Sequence, residues 1–267
     1  MNNFGFIGCG NMASAIINGV INSGTLDAKQ ITAYDINKNA TGNMLKNHAI
    51  NIATDIEELC AKSDFIVLAI KPHFFSQVLS ENNKFFAGKK IISIAAGISY
   101  NDLVEMLPKT CNILRVMPNT PALVSQGVTA LCDNTSFDNE SKQIAFDIFS
   151  CLGYAFWIDE KFIDGVIGVS GSGPAYCFMF IEALADAGVR EGLTRDLAYT
   201  LAAQTLKGSA EMVLKTKEHP AKLKDNVCSP GGTTIEAVYH LENSGFRSAV
   251  QNAVRFCAQK SRDMSKK

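Results

Sequence analysis

Short apolar runs alternate with amphipathic segments over the first 158 residues of the 267-residue chain. Apolar runs without strict alternation are typical of strands that are buried on both faces of a parallel sheet. We predict strands at 4–8, 31–34, 65–70, 90–95, 112–116, 128–132 and 154–158. The amphipathic segments predict helices at 12–22, 38–47, 74–79, 100–107 and 139–152. This order indicates an α/β domain over residues 1–158, in which helices connect parallel strands.

The chain changes character after Asp159, where β-branched runs give way to alanine-rich segments with helical periodicity. We predict five helices: 174–187, one of about six turns that starts at 194, a short one after 219–220, one from 233 to near 245, and 247–261. Residues 159–267 should therefore form a second, all-helical domain. Its long apolar faces, with few charges from Ala198 to Leu206, predict a dimer interface. The alternative is that this helix packs inside its own domain.

Charge and composition argue against several classes of protein. The chain has 25 basic and 26 acidic residues and no basic run, which disfavours nucleic-acid binding. It has no run of eighteen apolar residues and starts with a strand-like segment, so we expect no membrane span, no signal peptide and a cytoplasmic location. The eight cysteines form no C-x-x-C pair and should be free thiols in a reducing compartment. The four histidines lack metal-ligand spacing, so we predict no metal site.

A glycine-rich turn follows the first strand and opens the first helix. It fits the pattern G-x-G-x-x-A, in which Gly8 permits a tight turn, Gly10 lets the backbone approach a pyrophosphate, and Ala13 keeps helix and strand close. Strand, turn and helix in this order predict a Rossmann-type site for NADPH or NADH. The predicted contacts of this turn are Gly8, Cys9, Gly10, Asn11, Met12 and Ala13.

The end of the second strand, Tyr34-Asp35-Ile36-Asn37-Lys38, should decide between the two cofactors. An acid at this place binds the ribose hydroxyls and repels a 2′-phosphate, so Asp35 favours NADH. Asn37 and Lys38 could still hold a phosphate. Asp35 could instead cap the following helix, and the two roles are compatible.

Three further turns follow strands at the sheet edge where ligands bind in open α/β folds. Small residues in two of them would let the nicotinamide half of the cofactor pass. The third, Met117–Pro121, is a stiff two-proline loop in which Asn119 is a candidate ligand contact; the alternative is a rigid linker. The predicted cofactor contacts from these turns are Ala69, Ile70, Lys71, Pro72, Ala95, Ala96, Gly97 and Asn119.

A Pro-Gly-Gly turn, from Ser229 to Thr234, opens a later helix and is a candidate anion site. The first amides of a helix lack intrahelical acceptors, the helix dipole adds positive partial charge, and glycines permit close approach. A carboxylate or a phosphate would fit there. The alternative is an ordinary helix start in which Thr233 is the N-cap and Glu236 completes a capping box.

Five segments in this order make the chain resemble the pyrroline-5-carboxylate reductases over essentially its full length: residues 8–13, 71–72, 117–121, 170–176 and 224–234. The Gly-Ser-Gly-Pro-Ala-Tyr and Ser-Pro-Gly-Gly-Thr-Thr segments are the specific ones. The resemblance implies a Rossmann domain, a helical dimerisation domain and a homodimer that often assembles into rings of dimers. It also implies reduction of 1-pyrroline-5-carboxylate to L-proline with NADPH or NADH, the last step of proline synthesis.

The resemblance further implies roles for individual residues. The substrate carboxylate would be held by residues of the candidate anion site: Ser229, Gly232, Thr233 and Thr234. The Thr234 hydroxyl would lie near the ring nitrogen and orient it, as the catalytic residue of a reaction that needs no strong acid. Glu160 would lie near the substrate, and Asn226 would touch the cofactor. At Tyr34-Asp35 some members carry smaller or basic residues, which puts the usual NADPH preference in question here.

Two other classes of protein are alternatives. A β-hydroxyacid dehydrogenase also joins a Rossmann domain to a helical one, but it has a catalytic lysine where this chain has Cys177. Reduction of a C=N bond does not need that lysine. The second alternative is a non-catalytic nucleotide-sensing protein, and the intact cofactor and anion segments argue against it.

Overall fold

The computed structural model describes residues 2–265, apart from the side chains at positions 43, 45 and 47. In this part of the chain eight strands form a single sheet: β1 (Phe4–Ile7), β2 (Ile31–Tyr34), β3 (Asn51–Ile52), β4 (Phe65–Leu68), β5 (Lys90–Ser93), β6 (Asn112–Met117), β7 (Gly127–Cys132) and β8 (Gly153–Ile158). Their order across the sheet is β3-β2-β1-β4-β5-β6-β7-β8. All seven predicted strands are confirmed, and the two-residue β3 is an addition.

One neighbouring pair breaks the parallel arrangement. β7 runs antiparallel to β6, whereas β8 pairs in parallel with β7. The expectation of a parallel sheet throughout is therefore wrong at this pair. The physical reason is the length of the connection, because residues 118–126 are fewer than the dozen or so that a parallel crossover needs.

Helices cover the sheet and form the later part of the chain. In chain order they are α1 (Asn11–Asn22), α2 (Lys38–Asn47), α3 (Ile56–Ala61), α4 (Phe75–Glu81), α5 (Tyr100–Met106), α6 (Asn139–Ser150), α7 (Ile163–Val166), α8 (Gly173–Arg190), α9 (Arg195–Thr216), α10 (Pro220–Val227), α11 (Thr233–Asn243) and α12 (Phe246–Met264). Short 3-10 turns occupy Ala28–Gln30, Pro72–Phe74, Asn83–Phe86, Thr120–Val124 and Glu160–Phe162, and a π turn occupies Ile167–Gly171. The sequence missed α3 and α7, and α8 continues past the stop predicted at Gly188.

The core lies on both faces of the sheet. Phe65 and Val67 of β4 pack into one hydrophobic cluster, while the alternate residues Ile66 and Leu68 pack into another. Because both faces are covered, this strand is apolar at every position, which is the pattern that predicted it.

The chain divides by packing into two compact units, Met1–Ser172 with Phe256–Lys267, and Gly173–Arg255. The domain limits predicted from the sequence are 1–158 and 159–267. They differ from these units in that residues 159–172 and the end of α12 belong to the predicted helical domain but pack with the sheet-containing unit. Ile163 and Ile167 pack with Ala130 and Cys132 of β7, and Cys257 joins this cluster. These contacts explain why both segments group with the sheet.

The second unit contains α8 to α11 and the start of α12. Its helices α8 and α9 pack through three small residues, Ala185, Ala198 and Ala202. Every residue from Gly173 to Arg255 is described, and none of the large apolar side chains among them is buried.

One helical stretch among the described residues, Glu160–Arg190, is long and apolar enough to cross a membrane by length and composition. Only 11% of its most apolar window is buried within the chain. A single stretch of this kind is weak evidence for a span, because core and interface helices can have the same composition.

Candidate active site

The glycine turn lies where three parallel strands end side by side. Ile7, the last residue of β1, is in register with Tyr34 of β2 and with Leu68 of β4. Gly8, Asp35 and Ala69 therefore follow at one edge of the sheet. The strand order reverses between β1 and β4, which is the switch point where open α/β sheets bind ligands.

The backbone of this turn fits a dinucleotide pyrophosphate. Gly8 has φ +100°, and a Cβ on it would lie 2.6 Å from the Ala69 carbonyl oxygen. Gly10 precedes α1 with no side-chain cap, and the space beyond it is open for 4 Å. The first amides of α1 are therefore accessible to an anion, and the pyrophosphate contact stays a prediction. Ala13 is buried against the sheet, and Met12 packs at the edge of the same cluster.

Asp35 ties the glycine turn to the loop after β2. Its Oδ2 accepts a hydrogen bond from Cys9 N at 2.7 Å, and its Oδ1 accepts one from Asn37 N at 2.8 Å. The residue that caps α2 is Asn37, whose side chain accepts from Asn39 N, so the interpretation of Asp35 as the helix cap is wrong. Burial, with the Asp35 charge as a smaller cause, raises the pKa of the Cys9 thiol to about 12.

Two cavities flank this turn. The first, about 390 Å³, is lined by Gly8, Tyr34, Asp35, Ile36 and Ile70 together with side chains from α4 and the N-terminal end of α3. The second, about 360 Å³, is lined by Cys9, Gly10, Asn11, Asn37 and neighbouring residues of α1 and α2. The structure thus brings most of the predicted adenosine and pyrophosphate contacts together around Asp35.

The turns after β4 and β5 lie along the same edge. Lys71 is exposed and precedes a short 3-10 turn that begins at Pro72. Ala95 is buried, Ala96 packs at the edge of the β7 cluster, and Gly97 has φ +78°. A Cβ on Gly97 would lie 3.0 Å from Cβ of Met264, so the end of α12 covers this turn, a contact that the sequence did not predict.

Asn119 is buried and holds two backbone segments together. Its Nδ2 donates to the Ser170 carbonyl oxygen at 2.9 Å, and its Oδ1 accepts from Val128 N at 2.8 Å. The loop from Met117 to Pro121 is therefore clamped by a side chain that we had singled out as a ligand contact. That ligand contact stays a prediction, because an amide can form further hydrogen bonds.

The candidate anion site lies in the second unit. Gly231 has φ +66°, and Gly232 N donates to Ser229 O at 3.0 Å, which closes the turn. A Cβ on Gly232 would lie 2.4 Å from Ser229 Oγ, so only glycine lets this hydroxyl lie over the turn. The amides of Thr233 and Thr234 have no acceptor among the described residues. These two donors and the Ser229 hydroxyl therefore lie within one short turn.

The interpretation of this turn as an ordinary capped helix start is wrong in its details. The N-cap of α11 is Gly232, and it makes no side-chain capping bond. Thr233 is the first helical residue, and Glu236 pairs with His240 one turn further on, at 3.3 Å. The amides at the start of α11 are thus left for a ligand or for water.

Glu160 lies in a polar network of the first unit that includes the buried side chain of Arg115. Its Oε1 accepts from Arg115 Nη1 at 2.6 Å and from Tyr100 N at 2.8 Å, and its Oε2 accepts from Asn134 Nδ2 at 2.6 Å. The Arg115 side chain is only 3% exposed, and its Nε and Nη2 have no partner among the described residues. The sequence missed this network, although an arginine inside the apolar strand β6 was the signal for it.

The structure also gives the position of Asn226. Asn226 is exposed in the last turn of α10, in the second unit. The part of the chain that the structure describes contains no group of three His, Cys, Asp or Glu side chains that could hold a metal ion.

The fold and the glycine turn define an NAD(P)-dependent oxidoreductase with a Rossmann sheet and a helical region. Residues 3–97 match a family model described as NADP oxidoreductase coenzyme F420-dependent. Residues 160–264 match a second model, described as pyrroline-5-carboxylate reductase dimerisation. The helical region therefore matches a dimerisation domain.

Full-length relatives show the family. The pyrroline-5-carboxylate reductase of Escherichia coli is 47% identical over 98% of both chains, and that of Arabidopsis thaliana is 43% identical over 98% of this chain and 95% of its own. The crystal structure of Plasmodium falciparum pyrroline carboxylate reductase with NADP bound has a TM-score of 0.91 and 39% identity, and covers 99% of this chain and 98% of that one. The chain belongs to the pyrroline-5-carboxylate reductase family, and its cofactor is NAD(P)H.

Proposed function

We propose that this chain reduces 1-pyrroline-5-carboxylate to L-proline and that the turn before α11 holds the substrate carboxylate. The observation that carries this proposal is the pair of unpartnered amides at Thr233 and Thr234, in a chain that also has the glycine turn of a dinucleotide site. Membership of the family supplies the reaction, and the turn supplies a place for the charged end of the substrate.

The geometry of the turn before α11 is suited to binding the substrate carboxylate. Two parallel amides and the Ser229 hydroxyl can donate to one carboxylate, and the dipole of α11 adds partial positive charge at the same end. Gly231 and Gly232 keep side chains away from this volume. Charge-assisted hydrogen bonds of this kind are stronger than neutral ones and fix the orientation of the ring.

Thr234 is proposed to orient the ring nitrogen. When bound, NAD(P)H would supply the hydride that the imine carbon of the ring accepts, and this carbon becomes Cδ of proline. The acceptor is far better as an iminium, and a substrate that binds already protonated needs no strong acid from the protein. The N–H of the ring would donate to Thr234 Oγ1, which leaves the protein to align the reacting carbons at about 3–3.5 Å and to exclude water.

The remaining residue roles are assigned on the same basis. We assign Gly8 to Ala13, the turns 69–72 and 95–97, Asn119 and Asn226 to cofactor contacts. Glu160 is assigned a place near the substrate, where its carboxylate also accepts hydrogen bonds from Arg115 and Asn134. No step of the reaction is assigned to a metal.

The proposal extends to assembly and location. We propose a homodimer through the helical domain, assembled into a ring of dimers, in the cytoplasm and without a nucleic-acid or membrane partner. The exposed apolar side chains of the second unit and the match to a dimerisation model support the dimer. The formal charge of −1 without a basic run supports the absence of a nucleic-acid partner.

The test is the Thr234→Ala variant, assayed by NAD(P)H absorbance with 1-pyrroline-5-carboxylate. Loss of one orienting hydrogen bond should lower kcat/KM roughly 5- to 150-fold, which corresponds to about 1–3 kcal/mol. The dissociation constant for NAD(P)H, measured by fluorescence titration, should stay the same. Thr234→Ser, which keeps the hydroxyl, is the matched control and should retain most of the activity.

Three assays of the unmodified protein separate the classes of function. Oxidation of NAD(P)H with 1-pyrroline-5-carboxylate alone supports the reductase. Oxidation with a β-keto acid supports the hydroxyacid dehydrogenase. No oxidation in any of the three assays, with either substrate or with none added, supports the non-catalytic protein. A Thr234→Ala variant with unchanged kcat/KM would remove Thr234 from the mechanism.

A further inference from the structure

We propose that Asp35 makes this chain prefer NADH over NADPH, by accepting hydrogen bonds from the adenosine ribose and repelling a 2′-phosphate. This inference rests on the proposed function and adds the choice of cofactor to it. The Plasmodium falciparum structure has NADP bound, so a preference for NADH would distinguish this chain from that relative.

The Asp35 carboxylate is held in place at the ribose position. Backbone amides on two different loops, Cys9 N and Asn37 N, each donate to one of its oxygens, at 2.7 and 2.8 Å. Each oxygen retains a second lone pair that can accept from a ribose hydroxyl. Because rotation away from the site would break both bonds, the carboxylate cannot readily swing aside to admit a phosphate.

The cavity beside Asp35 has a negative lining. The cavity of about 390 Å³ is lined by three carboxylates, Asp35, Asp55 and Glu81, and by no basic residue among those described. A 2′-phosphate carries a further one to two negative charges, and like charges within a few ångströms repel strongly where water is partly excluded. A ribose hydroxyl is uncharged, so the carboxylates do not repel it.

The cavity on the other side offers no compensating cation. The cavity of about 360 Å³ is lined by amides, small residues and Met44, and none of its described lining residues carries a charge. Cofactors with a 2′-phosphate are commonly bound by an arginine near this position. Here neutral asparagines, including Asn37 and Asn39, occupy the place.

Lys38, at the start of α2, is the basic residue in the loop after β2 whose charge favours a 2′-phosphate. It is the first residue of α2 and directly follows Asn37, so its ammonium and the start of the helix both favour an anion. Lys38 is exposed and lines neither cavity. Since an exposed lysine on a flexible stem contributes little in water, we expect the fixed carboxylate of Asp35 to dominate.

The first test compares kcat/KM for NADH and NADPH with 1-pyrroline-5-carboxylate. We expect NADH to be favoured by at least about tenfold, which is the worth of a hydrogen bond to a charged group. Equal efficiencies or a preference for NADPH would overturn the inference while leaving the reductase activity intact. Failure to oxidise either cofactor would contradict the proposed function instead.

The second test uses binding alone, so that it does not depend on turnover. Adenosine 5′-monophosphate and adenosine 2′,5′-bisphosphate are titrated calorimetrically into the unmodified protein. The probe without the 2′-phosphate should bind at least about tenfold more tightly. Tighter binding of the bisphosphate would overturn the inference.

Variants assign the preference to Asp35. Asp35→Ser removes the charge, keeps a hydroxyl acceptor for the two amides and should shift the cofactor ratio toward NADPH by about tenfold or more. Glu57→Gln, which removes an exposed charge on α3 that does not line the cavity, is the matched control and should leave the ratio unchanged. A large loss of NADPH efficiency in Lys38→Ala, together with an unchanged ratio in Asp35→Ser, would assign cofactor choice to Lys38 and refute the proposal.

Discussion

The two units of this chain bury their apolar side chains very differently. In the unit that contains the sheet, phenylalanines such as Phe4, Phe65 and Phe149 are fully buried in clusters on both faces. In the unit Gly173–Arg255 the only buried side chains are those of alanines. Large residues such as Phe178, Met179 and Leu201 are exposed on its helices.

The difference indicates that the helical unit is not complete within one chain. Monomeric proteins rarely expose many large apolar side chains on contiguous helices, and such faces mark sites of association. The match of residues 160–264 to a dimerisation model agrees with this interpretation. The apolar stretch Glu160–Arg190 that has the composition of a membrane span is then better explained by burial against a second protein chain.

The largest expected effect comes from a charge on the exposed helical face. Leu201 of α9 is 48% exposed in the single chain, and we expect Leu201→Asp to dissociate the oligomer. Each lost leucine forfeits about 2 kcal/mol of apolar burial, and a buried aspartate adds a desolvation cost. Sedimentation equilibrium should show monomers, and the reductase activity should fall sharply if the partner completes the fold of the unit.

Val104 provides the matched control for this variant. It is 45% exposed on α5 of the sheet-containing unit, so Val104→Asp introduces the same charge at a similarly exposed helical position. We expect the oligomer and the activity to be retained. If both variants leave the oligomer intact, the α9 face is not the interface.

The next largest effect concerns the ion pair between the buried Arg115 and the partly exposed Glu160 in the first unit. Glu160→Gln leaves the Arg115 charge buried, with hydrogen bonds but without a counterion. Breaking a buried ion pair by removing one partner typically costs about 3–5 kcal/mol. Thermal and urea denaturation should show this loss of unfolding free energy.

The double variant Arg115→Met/Glu160→Gln tests whether the stability lost in Glu160→Gln comes from the uncompensated charge of Arg115 or from the changed shape of the side chain. Replacing both partners removes the uncompensated charge, so we expect it to recover much of the stability lost by Glu160→Gln alone. A single variant that is as stable as the parent protein would contradict the assignment of Glu160 as the counterion.

The sequence predicted those parts of the fold that rest on local pattern. The apolar runs located seven strands, and the glycine turn located the cofactor site, because both depend on residues that are neighbours in the chain. It missed α3, although Asp55 caps this helix by accepting from Glu58 N, because six residues are too few for a helical period to stand out. It also missed the antiparallel β7, because direction depends on strand order and connection length.

The sequence predicted which residues could donate hydrogen bonds to a ligand at the candidate site. It did not predict which other residues of the chain contact the site residues. The Ser229–Thr234 turn could be found from its glycines. The alternative interpretation of this turn put the N-cap on Thr233, whereas the N-cap is Gly232, one residue away. The bonds of Glu160 to Arg115 and Asn134, and the packing of Met264 on Gly97, join residues that are far apart in sequence. Such long-range contacts leave at most a single signal, here a charged residue in an apolar strand.

The smallest predicted effect is a difference in reactivity between the buried cysteine thiols of the first unit and the thiol of Cys177. The free energy of unfolding at neutral pH is not expected to depend on it. Burial raises the pKa to about 12 for Cys9, Cys60 and Cys132 and to about 11 for Cys111, all in the first unit. Cys177 on α8 is exposed. At pH 8 a small alkylating reagent should therefore label Cys177 of the dissociated Leu201→Asp variant before the four buried thiols. The buried thiols have roughly a hundredth to a thousandth of the ordinary thiolate fraction and little access to the reagent.

Peptide mass spectrometry over a time course gives the rate for each thiol. Cys177 neighbours the exposed Phe178 and Met179, so a partner chain that covers α8 should also slow its labelling. We therefore expect Cys177 to react faster in the Leu201→Asp variant than in the parent protein, while Cys9 stays slow in both. Equal labelling rates for Cys177 and Cys9 would contradict the contrast between the buried side chains of the first unit and the exposed side chains of the second. A Cys177 labelling rate that is the same in the variant and in the parent protein would place the interface away from that part of α8.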